Sequence, residues 1–217
     1  MTIQVYKPRA RKRYTRMLAT LGTIVIGALG AVAVNARAAS ADPTVHTLVA
    51  NTPESWAPHV SDEANTIGPS GTHLTISCYM SGDTVAGPYG PEKAWDLISG
   101  GPSNVWKGMF VPDADIYTGS NSPVVPRCPS SWASGRILGN GTEPVYDAPS
   151  NLNSIVIDRI ASGLHVVIKC TARTTWYSGP YGRENIWDKL TAADGPNDWV
   201  PDALVYTGSN SAVAPQC

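Results

Sequence analysis

The sequence predicts an all-β protein built of two small disulfide-closed units behind an N-terminal export signal. Three observations carry that expectation: a passage written twice, two cysteines at matched places in each copy, and short β-prone runs punctuated by Gly and Pro. The repeated passage is "VPDADIYTGSNSPVVPRC" at residues 111–128, which returns as "VPDALVYTGSNSAVAPQC" at residues 200–217, with 13 of 18 positions identical. Upstream, residues 73–98 align without a gap with residues 165–190, sharing His, Ile, Cys, Gly-Pro-Tyr-Gly, Glu and Trp-Asp in register. The chain is a tandem duplication.

The cysteines follow from the duplication. Four cysteines allow three pairings, but an ancestral single unit makes only one bond, so Cys78 pairs with Cys128 and Cys170 with Cys217. Small exported domains use such bonds to supplement a limited core. Two cysteines per unit, far apart in sequence, do not fit a zinc ribbon.

In the second copy, "SIVIDRI", "LHVVIKC", "TTWYSGPYG", "NIWDKL", "DWVPD" and "LVYTGSN" read as strands bounded by turns. Within "LHVVIKC", Leu164, Val166 and Ile168 fall on one face and Val167 on the other. "EKAWDLI" and "ENIWDKL" are compatible with a single helical turn, because Glu92 and Asp96, or Glu184 and Asp188, stand four apart. On that reading the carboxylates form a solvated face beside Trp95 and Trp187. The spacing of the strands favours a small barrel or sandwich.

Taken in order, "VYDAPSNLNSIVIDRIASGLHVVIKC", Gly-Pro-Tyr-Gly, Trp-Asp and "WVPDALVYTGSN" resemble the SH3-type (SH3b-like) domains of exported actinobacterial proteins. The resemblance implies two tandem SH3-like β-barrels. Residues 44–128 form the first domain, 129–144 a Pro-, Gly- and Ser-rich linker, and 145–217 the second domain. It also implies a non-catalytic protein that docks on cell-wall peptidoglycan or its peptides, the alternative being a secreted interaction or inhibitory protein.

Export is read from the N-terminus. Residues 1–16 carry Lys7, Arg9, Arg11, Lys12, Arg13 and Arg16, an uncharged apolar run follows, and Ala39-Ser40-Ala41 offers a cleavage site. Residues 1–41 are therefore expected to be a signal peptide, with an uncleaved anchor as the alternative. Residues 42–217 then hold 9 basic and 17 acidic residues, a net charge of −8. That balance disfavours nucleic acid and other polyanions as partners, and no stable membrane insertion is expected after cleavage.

The inventory for catalysis is thin. No metalloprotease, nucleophile-elbow or phosphate-loop motif occurs, and disulfides remove the thiols that a papain-like enzyme needs. His73 and His165 are equivalent strand positions read as exposed, and Asp113, Asp115 and Asp202 read as turn formers rather than calcium ligands. No catalytic residue, metal or cofactor is expected, and a wall-active hydrolase is the weakest reading. The candidate ligand-binding residues are aromatic: Tyr89 and Tyr181 at the tips of the Gly-Pro-Tyr-Gly turns, with Trp95, Trp187 and Trp199 as rings shared between core packing and binding.

Overall fold

The duplicated sequence folds into duplicated sheets. A computed structural model describes residues 45–66, 69–191 and 197–217; the signal peptide expected over residues 1–41 lies outside them. The first repeat contains β1 (Val45–Leu48), β2 (Pro53–Ser55), β3 (Glu63–Thr66), β4 (His73–Gly87), β5 (Gly90–Gly100), β6 (Phe110–Pro112) and β7 (Ile116–Tyr117). The second contains β8 (Ala133–Ile137), β9 (Thr142–Tyr146), β10 (Val156–Ala161), β11 (His165–Gly179), β12 (Gly182–Leu190), β13 (Trp199–Pro201) and β14 (Val205–Tyr206). Among the described residues there is no α-helix, only short 3-10 turns between strands, as the all-β expectation requires.

The strand orders are β3-β2-β6-β5-β4-β1-β7 and β10-β9-β13-β12-β11-β8-β14, the same order twice. Each sheet centres on a long hairpin, β4 with β5 and β11 with β12. In β4 the alternation is plain: Leu74, Ile76 and Cys78 are buried while His73 and Ser77 are exposed. In β11 Val166, Val167 and Ile168 are all buried, because Val167 packs into an apolar cluster that includes Cys78 and Cys128 of the first repeat. The described residues belong to one compact unit, and a second cluster joins Leu74 and Ile116 to Ile137 and Ile168.

Both hairpins slip register at the same place, between Ser81 and Val85 and between Arg173 and Tyr177. Such a bulge frees carbonyls from the ladder, and an indole uses each of them. Trp95 Nε1 donates to the Asp83 carbonyl at 2.9 Å and Trp187 Nε1 to the Thr175 carbonyl at 2.8 Å. A buried tryptophan with its one donor satisfied is a strong anchor for a small core.

The disulfides are Cys78–Cys128 and Cys170–Cys217, the pairing the duplication selects. Each fastens the tail of a repeat beside its long strand, where Cys128 N donates to the Tyr79 carbonyl and Cys217 N to the Thr171 carbonyl, both at 2.9 Å. Two disulfides and, among the described residues, no free cysteine fit an oxidising, extracellular compartment. No helix among the described residues is long and apolar enough to cross a membrane.

Two sequence expectations are corrected. "EKAWDLI" and "ENIWDKL" lie in β5 and β12, so "NIWDKL" is a strand and the helical-turn alternative fails, because the long partner strand supplies backbone hydrogen bonds that a single turn of helix cannot match. The expected linker at 129–144 contains all of β8, which pairs with β11 and β14, and the beginning of β9. Its glycines mark the turn between β8 and β9, and "ASGRI" supplies the second repeat's counterpart of β1.

Candidate ligand-binding site

Each Gly-Pro-Tyr-Gly sequence forms the tip of a long hairpin. Gly87 pairs with Gly90, and Gly179 with Gly182, leaving Pro88-Tyr89 and Pro180-Tyr181 as two-residue loops. Gly90 and Gly182 take φ of 116° and 106°, where a Cβ is disfavoured. The glycine before each loop is required for another reason. A Cβ on Gly87 would lie 2.0 Å from the Ala114 carbonyl oxygen, and one on Gly179 would lie 2.4 Å from that of Ala203.

The hairpin tip is thereby seated on the 3-10 turn Asp113–Asp115, or Asp202–Leu204, of the repeated passage. This close approach brings together tyrosines that are distant in sequence. Tyr89 and Tyr117 have ring centroids 6.1 Å apart, and Tyr181 and Tyr206 5.5 Å apart. Tyr89, Tyr117 and Tyr206 are 47%, 55% and 50% exposed, and Tyr181 is half-buried. Each repeat thus presents two tilted phenol rings as one surface, with apolar faces for stacking and hydroxyls for hydrogen bonding.

The Thr-Gly-Ser-Asn loop following Tyr117 or Tyr206 borders this surface. Thr118 Oγ1 donates to the Ser120 carbonyl and Thr207 Oγ1 to the Ser209 carbonyl, both at 3.0 Å, which fixes the loops in the same shape. In the first repeat a cleft of about 130 Å³ runs between Tyr89, Tyr117 and residues 118–121. In the second a cleft of about 540 Å³ is lined by Ser134, Gly135, Arg136, His165, Tyr206, Thr207 and Gly208. The repeated passage therefore supplies half of the surface, through Tyr117 and Tyr206, and the Gly-Pro-Tyr-Gly loop supplies the rest.

The expected tryptophans separate from the tyrosines. Trp95 and Trp187 are 1% and 0% exposed and Trp199 is also buried, so their part in the sequence expectation of a binding surface is corrected to core packing. Their register on β5, β12 and β13, between long paired strands, turns the rings inward.

The carboxylates also depart from expectation. Asp96 and Asp188 are fully buried rather than part of a solvated face. Asp96 lies against Asp113 and Glu92; burial first, then those neighbours, push it up to about 9. Asp188 is raised well above the carboxylate range by burial, then by Asp202 and Glu184, and Asp202 is pushed up to about 7, chiefly by burial. Two carboxyls in one dry site cannot both ionise cheaply, so each pair keeps a proton at neutral pH. Asp113 and Asp202 do follow Pro into a 3-10 turn, as expected, but their side chains go inward instead of capping it.

No family model matches the chain, and no solved structure does. Among curated proteins, the chain is similar to the uncharacterized protein YraI of Bacillus subtilis, 46% identical over 69 residues that make up 30% of this chain and 53% of that protein. It is also similar to the uncharacterized protein YraJ of the same organism, 41% identical over 64 residues, 28% of this chain and 52% of that protein. The chain spans about half the length of these curated relatives. Neither match is long enough to cover both repeats.

Proposed function

We propose that the chain is an exported, non-catalytic binding protein in which two SH3-like barrels present tyrosine surfaces to cell-wall peptidoglycan or its peptides. The observation that carries this reading is the duplicated tyrosine pair, Tyr89 with Tyr117 and Tyr181 with Tyr206, beside a rigid Thr-Gly-Ser-Asn loop. Paired rings with hydroxyl edges suit the alternating apolar and polar faces of sugars and short peptides. Two such surfaces on one chain raise apparent affinity through effective concentration. Absence of catalysis is supported by the placement of the acidic pairs, since carboxyls as buried as Asp96 and Asp188 cannot touch a substrate.

The test is retention on purified cell wall with both disulfides intact, followed by competition with soluble muropeptides. Retention that muropeptides reverse is the expected result; absence of retention overturns the proposal.

A second reading, a secreted protein that binds another polypeptide, is favoured by one observation. In the second repeat Leu152, Ile155, Val156, Ile157 and Trp176 are all exposed, and Asn151 ties the loop that carries Leu152 to Thr175 and Trp176. Binding by this surface would survive an excess of muropeptides.

A further inference from the structure

The sequence carries no metal motif, yet the fold assembles a set of metal-ligating side chains from both repeats. The 3-10 turn Val60–Asp62 brings Asp62, with His59 just before it, to face His165 at the start of β11. His165 Nδ1 lies 3.0 and 3.3 Å from the two Asp62 carboxylate oxygens. The His59 and His165 rings lie 4.3 Å apart, centroid to centroid, tilted by 31°. One donor atom from each of the three residues lies within 4.8 Å of the others.

We propose that His59, Asp62 and His165 bind one divalent zinc-type cation that joins the two repeats. Asp62 carries the argument, being 1% exposed. A buried carboxylate needs a positive partner. Its hydrogen-bonding partners are the His165 imidazole and the Ser61 hydroxyl, and a cation held between the carboxylate and both imidazoles neutralises it more completely than either.

The donor set favours a transition metal. Two imidazoles and one carboxylate match four-coordinate zinc sites that have three protein ligands and a water, whereas calcium requires six to eight oxygens. Zinc bonds of about 2.0–2.2 Å place neighbouring ligand atoms roughly 3.3–3.5 Å apart. The His165–Asp62 separation is already near that value, so His59 is the side chain that must turn inward. His59 Nδ1 lies 3.3 Å from Asp83 Oδ2, an outer carboxylate of the kind that orients metal-binding imidazoles and leaves Nε2 as the donor.

With Cys78, Cys128, Cys170 and Cys217 all in disulfides, no thiolate competes for the ion among the described residues. The second repeat has Ser150 and Asn153 where the first has His59 and Asp62, counting from the equivalent pairings of Ser55 with Phe110 and Tyr146 with Trp199. One ion per chain is therefore expected, not two. His165 also borders the larger cleft, which Tyr206 lines as well, so the cation site adjoins the second tyrosine surface.

The experiment is calorimetric titration of Zn²⁺ into the full oxidised chain, paired with the visible absorption of bound Co²⁺. The expected result is one equivalent bound, with Co²⁺ bands of tetrahedral or five-coordinate intensity. His165→Ala and Asp62→Asn should each weaken binding at least 100-fold, while His73→Ala, at the equivalent strand position of the first repeat, should leave it unchanged. Urea midpoints measured without metal separate loss of the site from loss of the fold. Should Asp62→Asn fail to fold, His59→Ala, on a part-exposed ring, takes its place with the same expected loss. No saturable one-to-one binding by the parent chain, or His165→Ala binding as the parent does, would overturn the proposal.

Discussion

The two repeats agree in strand order, bulges and disulfides and differ at the rim of the tyrosine surface. Both have the same strand order, the same bulge with an indole bonded into it, the same buried acidic pair and the same disulfide. At the rim, Thr47 opposite Tyr117 in the first repeat is replaced by Arg136 opposite Tyr206 in the second. His73 meets Thr47 Oγ1 at 3.1 Å, whereas His165 turns to Asp62 across the repeat junction. Duplicated features mark what a repeat needs to fold, and diverged positions around a duplicated surface mark where, on the proposed function, the two surfaces would acquire different ligand preferences.

The largest test of this comparison is removal of an indole. Trp95→Ala or Trp187→Ala should cost about 3–5 kcal/mol by urea denaturation, through lost burial, a cavity and an orphaned bulge carbonyl. If only one repeat responded, their structural equivalence would fail.

Next in size are the disulfides. Replacing Cys78 and Cys128 together by Ser, or Cys170 and Cys217, should destabilise the chain by about 2–4 kcal/mol in either case, since the closed loops span similar separations of 50 and 47 residues. Chemical denaturation of the two double variants in parallel checks this.

The acidic pairs give a smaller, pH-dependent effect. The folded pKa of Asp96 is raised to about 9, so its contribution to stability is complete below the ordinary carboxylate pKa and is lost as pH rises toward 9. Asp202, raised to about 7, contributes over a narrower window ending near neutrality. Urea midpoints should fall between pH 5 and pH 9, and Asp96→Asn should flatten the decline by supplying an uncharged isostere. A midpoint that rises over that interval would contradict the assigned protonation.

Much of the fold was legible in the sequence because duplication marks equivalent positions directly. The disulfide pairing, the buried strand around Val166 and Ile168, and the hairpin tips at Tyr89 and Tyr181 all follow from aligned residues. Asp96 and Asp188 were misread because a four-residue spacing of acids suggests a helix face. In a strand covered on both sides, Trp and the Asp beside it are buried together. Tyr117 and Tyr206 belong to the surface through a close backbone approach at Gly87 and Gly179, which no periodicity encodes, although the repeated glycines were a usable signal. The pairing of Asp62 with His165, 103 residues apart, had no duplicated counterpart to reveal it.

The most direct test of the tyrosine surfaces is cell-wall sedimentation of four alanine variants: Tyr89 with Tyr117, Tyr181 with Tyr206, all four together, and Tyr79 as an unrelated control. Loss of either pair should weaken binding by about two orders of magnitude or more through lost bivalence, in line with effective-concentration gains of roughly 10²–10⁴. The loss should be larger for the Tyr181 and Tyr206 variant, because Tyr206 lines a cleft of about 540 Å³ against about 130 Å³ between Tyr89 and Tyr117. The four-tyrosine variant should stay in the supernatant with an unchanged urea midpoint. If it sediments with the wall as the parent chain does, the tyrosine pairs are not the binding surface.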